Sequence, residues 1–368
     1  MELRTWTDRF RSPRTRTFQP CKPLHRTSRS GTSRQAGVST ATVSNALNRP
    51  ERVAAPTRAK VMRAIGETGF VPNAAASRLR ALDNRSIGVL VIDVGNAFHA
   101  SFAKGAQRAA EELGFMSLLC DGDREVDRSI RQIDFLEAQR VAGVLATGSS
   151  IRGIGDRLDL LTRRGVKLVL VDTPARRSDR CSVAVDDVQG GALVGRHLID
   201  LGRRRIAFVT TDLILRPFED RLQGMQRAIA EHPSGSAVEI VQVVVPKEDY
   251  DRGVAAADQI LLRRCDAVFC INDHLALPVM HTLLSRGVRI PEDLSIVGYD
   301  DTEIAAMTAV PLTSVAQPAA AVGATAAQLL IEECMGADHV HQHVMFQPTL
   351  TVRSSSDPTR VPTPEGCP

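Results

Sequence analysis

Six near-continuous runs of Val, Ile and Leu, with helical spacing between them, constrain this chain more than any other feature. They lie at 85–93 (RSIGVLVID), 141–147 (VAGVLAT), 167–172 (KLVLVD), 205–210 (RIAFVT), 266–272 (DAVFCIN) and 294–300 (LSIVGYD). Helical patterns fit between the runs, for example Phe102 to Leu113 and Gly190 to Leu201. Strands that are apolar on both faces belong to parallel sheets covered by helices on each side. About 270 residues of such alternation is long for one sheet, so the pattern predicts two doubly wound parallel-sheet lobes with a cleft between them.

Charge divides the chain differently. Residues 1–85 carry 17 Lys and Arg against 5 Asp and Glu, so the +4 net charge of the whole chain leaves the remainder at −8. A basic segment ahead of a mildly acidic body fits a nucleic-acid-binding head on a separate sensor, and fits a basic disordered tail equally well on charge alone. Seven cysteines form no CxxC pair and no Cys/His cluster at zinc spacing. Neither disulfides, nor a metal, nor a cofactor is therefore expected, and the thiols read as reduced in a cytoplasm. No apolar run approaches the roughly 20 residues of a membrane helix, and the basic N-terminus lacks the apolar core of an export signal.

Organised sequence is expected from Arg34. Residues 1–33 are rich in Arg, Ser, Thr and Pro without apolar periodicity, and are expected to be disordered. Between Ala36 and Phe70, two or three short helical patterns suggest a small all-α bundle. Ser39 is placed to cap a helix carrying Val43, Ala46 and Leu47, and Val61, Ala64 and Ile65 recur at helical spacing after Pro56.

At AGVSTATVSNALN (36–48) and VMRAIGETGFVPNAAASRLR (61–80), the chain resembles the lactose/galactose repressor family. The resemblance continues in order through SIGVLV, NAFH, VAVDDVQGGALVGRHLIDLG, INDHLALPVM, RIPEDLSIVGYDD and PLTSVAQP, and ends near Arg353. It implies a helix-turn-helix headpiece at 34–70, a hinge helix at 71–84 and a periplasmic-binding-protein-like sensor at 85–353. The expected division puts 85–186 and 311–336 in lobe 1, 187–310 and 337–353 in lobe 2, and leaves 354–368 as a polar tail.

The implied function is a cytoplasmic transcription regulator, a homodimer binding pseudo-palindromic double-stranded operator DNA under control of a small, sugar-like effector. Thr40, Ala41 and Asn45 are then placed to reach base edges, with Thr42, Ser44 and Asn48 as phosphate or capping groups. Leu79 takes the place of a minor-groove wedge, with Arg80 beside it to neutralise phosphate. Effector contacts carried over to the strand ends are Asn96, Phe98, His99, Asp121, Asp172, Asn272 and Asp300. Many relatives carry an arginine where Glu219 stands; replacement by Arg216 or Arg221 would account for this, and a cationic effector would account for it equally well, which leaves the ligand class open. Asp186 and Asp187 read as turn and lobe-crossing residues, and Asp301 as a helix cap.

One stretch departs from the family. Its first helix typically reads DVAxxAGVS, whereas GTSRQAGVS (31–39) puts Gly31, Thr32 and Ser33 where better helix and core residues are expected. The first helix looks damaged, and the upstream composition is that of a GC-rich gene read out of frame, so residues 1–33 are expected to be a mistranslated extension. A solute receptor without DNA-binding output shares the sensor fold but would need an export signal. An enzyme is disfavoured by the lack of GxSxG, metal-ligand spacing or a Walker loop.

Overall fold

The computed structural model describes residues 29–68, 85–148, 153–171, 179–211, 215–246, 252–336, 338–357 and 359. The chain separates into two units at Asp83/Asn84.

In the first unit, α1 (Arg29–Ala36), α2 (Thr40–Asn48) and α3 (Ala55–Thr68) close on Val43, Ala46 and Val61, with Val38, Leu47 and Ile65 packed at the margin. Organisation thus begins by Arg29, not Arg34, and the expected damage to the first helix is corrected. Gly31 and Ser33 are weak helix formers, but tertiary contact with α3 overrides local propensity. Thr32 is fully buried, its hydroxyl 3.3 Å from that of Thr68, and Ser33 Oγ donates to the Ser30 carbonyl at 3.0 Å. A polar residue can take a core position when its hydroxyl is paired. Gly37, at φ +63°, makes the tight turn into α2, a backbone conformation that disfavours a side chain.

The second unit holds two six-stranded sheets of matching order. Lobe 1 is built on β1 (Ser86–Val91), β2 (Met116–Asp121), β3 (Gly143–Ala146), β4 (Lys167–Val171) and β5 (Cys181–Val185), ordered β2-β1-β3-β4-β5 and all parallel, with β11 (His343–Phe346) added beside β5. Lobe 2 repeats this with β6 (Arg205–Thr211), β7 (Glu239–Val245), β8 (Ala267–Cys270), β9 (Ser295–Asp300) and β10 (Thr313–Ala316), ordered β7-β6-β8-β9-β10. There β12 (Thr349–Thr351) closes the edge antiparallel. The expected pair of doubly wound lobes is what the chain forms. Interior strands β1, β3, β5 and β8 are buried at every residue, while edge strands β2 and β7 are partly exposed.

The lobe boundaries near the C-terminus differ from expectation. The run at 311–316, expected in lobe 1, supplies β10 of lobe 2, and 343–346, expected in lobe 2, supplies β11 of lobe 1. Backbone ladder pairing decides membership here: β10 pairs in register with β9, and β11 with β5. The start of the expected polar tail is also corrected. Ser354, Ser355 and Ser356 are buried. Ser355 Oγ donates to the Ile296 carbonyl at 2.6 Å and accepts from Thr313 N, while Ser356 Oγ pairs with Thr313 and His197. Hydroxyls satisfied in this way carry little burial cost, so polarity did not mean exposure. Among the described residues no helix is long and apolar enough to cross a membrane.

Candidate functional site

Loops at the C-terminal ends of the strands of both lobes converge on one cleft of about 560 Å³, counting its open mouth. From lobe 1 come Ile92, Asn96, Phe98, His99, Gly148 and Val185; from lobe 2 and its connection, Asp187, Leu215, Pro217, Phe218, Arg221, Asn272, Asp300 and Gln317.

Helix caps position several of these groups. Asn96 precedes α4 (Ala97–Glu112) and its side-chain oxygen accepts from Phe98 N at 2.8 Å, which holds Phe98 and His99 at the first turn. His99 Nδ1 lies 2.9 Å from the Asp93 carbonyl, so Nδ1 carries the proton in that contact, and its ring meets Phe98 edge-on at 5.6 Å. Across the cleft Asn272 caps α10 (Asp273–Ser285), accepting from Leu275 N at 2.9 Å.

The electrostatic centre is Arg221 on α8 (Arg216–Glu231). It is 5% exposed, donates from Nε to Asp187 Oδ1 at 2.7 Å and from Nη1 to the Ile271 carbonyl, and lies 3.6 Å over the Tyr299 ring. Burial works against this charge, but Asp187 outweighs it and holds the guanidinium above its ordinary value. Asp300 ends β9 at φ +104° and accepts from Gln317 Nε2 at 2.7 Å. Burial pushes its carboxyl up to about 7, although Arg221 pulls the other way. Behind it Asp273 is fully buried. It accepts from Thr302 N, Thr302 Oγ1 and Ser314 Oγ, and burial still leaves its pKa raised to about 6.

The structure therefore brings Asn96, Phe98, His99, Arg221, Asn272 and Asp300 together. It does not bring Asp121 or Arg216 to the cleft. Asp121 ends an edge strand and turns onto its own loop, accepting from Val94 N and Asp123 N and pairing with Arg128 at 3.4 Å. Arg216 lies on a different face of α8 from Pro217, Phe218 and Arg221, and pairs with Asp220 at 3.0 Å. Glu219 is exposed, so the acid at that position does not alter the cleft. Asp172 lies outside the described residues. Asp187, Phe218 and Gln317 are functional candidates that spacing missed. Two adjacent acids follow β5, and the sequence did not separate Asp186, which caps α7 (Asp187–Asp200), from Asp187, which faces Arg221. Asp301 is not the expected cap. Thr302 caps the next helix, and Asp301 pairs with Arg353 at 2.7 Å.

In the first unit, Ser39 Oγ accepts from Thr42 N at 3.0 Å and opens α2. Thr40, Ala41 and Asn45 are exposed on that helix, Thr42 and Ser44 half-buried, and Val43 and Ala46 turned into the core. Asn48 ends α2. Leu79 and Arg80 lie outside the described residues.

Two family models match the chain: "Bacterial regulatory proteins, lacI family" at residues 33–73, and "Periplasmic binding protein-like domain" at residues 196–356. The chain is 31% identical over 330 residues to the HTH-type transcriptional regulator DegA of Bacillus subtilis, covering 89% of this chain and 97% of that protein. It is 32% identical over 326 residues to the HTH-type transcriptional repressor PurR of Vibrio cholerae, covering 88% and 96%. Among solved structures, a complex of the transcriptional regulator CelR with cellobiose matches at 30% identity and a TM-score of 0.63, over 89% of this chain and 99% of that one.

Proposed function

The chain belongs to the lacI family of bacterial regulatory proteins, and from that premise we propose that its DNA affinity is set by a small polyhydroxylated effector held in the cleft. It is a DNA-binding transcription regulator. The observation that carries this reading is the coexistence, in one chain, of a capped helix exposing Thr40, Ala41 and Asn45 and a cleft whose polar groups converge from strand ends. Asn272, Asp300 and Arg221 offer acceptors and donors to hydroxyl groups, and Phe98 and Phe218 cover an apolar ring face. The disaccharide bound by CelR has that chemistry.

Regulation follows from linkage. An effector that binds one arrangement of the lobes better than another shifts the DNA-competent population, typically by about 1–3 kcal/mol. The regulator works as a cytoplasmic homodimer without catalytic activity, each α2 in a major groove of a two-fold site. The test is fluorescence-anisotropy titration of the full chain with the duplex upstream of its own gene, beside a scrambled duplex, at two salt concentrations. Strong preference for the native duplex, altered by a compound from a mono- and disaccharide panel, is the expected result. Equal, salt-labile binding to both duplexes would overturn the reading, and a monomeric sedimentation mass would overturn the dimer.

A further inference from the structure

Lobe 1 carries a second cluster, at the end of its sheet away from the cleft. Cys181 opens β5 and is fully buried. The parallel neighbour β11 begins at His343, in register with Ser182, so the chain just before β11 passes over the start of β5. This brings Cys181 Sγ within 3.1 Å of His339 Nε2 and 3.8 Å of His341 Nδ1. The three atoms lie within 4.8 Å of one another. Gln342 N donates to the same sulfur at 3.3 Å, and the two half-buried imidazoles meet edge-on at 5.5 Å. The third histidine of the alternating series, His343, is occupied otherwise, with Nδ1 2.9 Å from Ser182 Oγ.

We propose that Cys181, His339 and His341 bind one transition-metal ion of the zinc class per chain, with water in the fourth position. A thiolate with two imidazoles is a soft-to-borderline donor set that suits zinc and disfavours magnesium or calcium, which take oxygen ligands. A tetrahedral zinc with sulfur at about 2.3 Å and nitrogen at about 2.0–2.1 Å sets its ligands roughly 3.5 Å apart. The 3.1 and 3.8 Å contacts bracket that spacing, and the two imidazole nitrogens lie within 4.8 Å of each other. The ligands are separated by 158 and 160 residues, which is why spacing along the chain excluded a metal and only the β5–β11 pairing reveals one. The ion would clip the last return of the chain into lobe 1 to the edge of its sheet.

The test uses the tag-free full chain, stripped with chelator and titrated with zinc against a chromophoric zinc indicator, then with cobalt as a spectroscopic stand-in. One equivalent per chain, a thiolate-to-cobalt charge-transfer band and a rise in melting temperature on adding zinc are expected. Cys181→Ser abolishes the band and weakens zinc binding by more than about 100-fold, beyond what loss of an outer-shell partner costs. His341→Gln, at a half-buried position where folding is kept, weakens it comparably, and Cys265→Ser in lobe 2 leaves it unchanged. Absence of a stoichiometric ion, or binding that survives both Cys181→Ser and His341→Gln, overturns the proposal. Neither outcome depends on DNA or effector binding.

Discussion

The two lobes share strand order and a helix crossing, yet they differ in the charged groups they bring to the cleft. In lobe 1, α4 crosses α12 (Ala319–Met335) where Gly105 and Gly323 let the backbones meet; a Cβ on either would stand 2.0 Å from a carbonyl of the other helix. In lobe 2, α7 crosses α8 through Gly191 and Gly224, where a Cβ would stand 1.9 and 1.8 Å from carbonyl oxygens. The scaffold is thus repeated. Lobe 1 nevertheless offers Asn96 and His99 among Ile92, Phe98 and Val185, whereas the carboxyl and guanidinium groups, those of Asp187, Arg221 and Asp300, all come from lobe 2, which adds Phe218 and Asn272. A few residues at strand ends, not the fold, decide what each lobe can hold. If the cleft holds the proposed effector, lobe 2 supplies most of the groups that can fix its hydroxyls, while Phe98 of lobe 1 and Phe218 of lobe 2 cover its ring.

The largest expected effect tests the shared part. Gly191→Val and Gly105→Val should each destabilise the sensor by about 3 kcal/mol or more, because the clash is with backbone that side chains cannot relieve. Urea denaturation followed by circular dichroism checks this, and a mild effect in one lobe only would break the equivalence of the crossings. Next comes the asymmetric part. Arg221→Met leaves Asp187 buried without its guanidinium, at a cost of about 3–5 kcal/mol, and abolishes effector binding. Adding Asp187→Leu should restore much of the stability but none of the binding.

Protonation sharpens the contrast further. Asp300, raised to about 7, and Asp273, raised to about 6, both belong to lobe 2. Between the ordinary value of 3.8 and those folded-state values, the native chain holds protons that the unfolded chain has released. Stability should therefore fall as pH rises through that window. Asp300→Asn should flatten the decline, as read from urea midpoints across the same range; an unchanged slope would place the titration elsewhere. The smallest effects separate wall from support. Phe98→Leu should weaken the effector identified by panel screening by about 5- to 10-fold, the worth of an aromatic contact. Asp121→Asn, away from the cleft, should change it less than about 2-fold, and calorimetric titration distinguishes the two.

Much of the frame was readable along the chain because its causes are local. Apolar runs with helical spacers determined two doubly wound lobes, and Ser39 determined the start of α2 through a hydrogen bond to a residue three positions away. Asn96 and Asn272 were readable for the same reason, since cap and cleft position coincide at a strand end. Other features were set by partners far away in sequence. Thr32 enters the core because Thr68 meets its hydroxyl, and Ser355 and Ser356 are buried because Ile296, Thr313 and His197 pair with theirs. Asp187 rather than Asp121 faces the cleft because helix packing delivers Arg221 to it, while Asp121 is drawn onto its own loop. Periodicity and capping act within a few residues, so the sequence alone determined the elements and their order. Burial, charge pairing and the meeting of Cys181 with His339 and His341 depend on contacts between distant segments, and only the tertiary structure decided them.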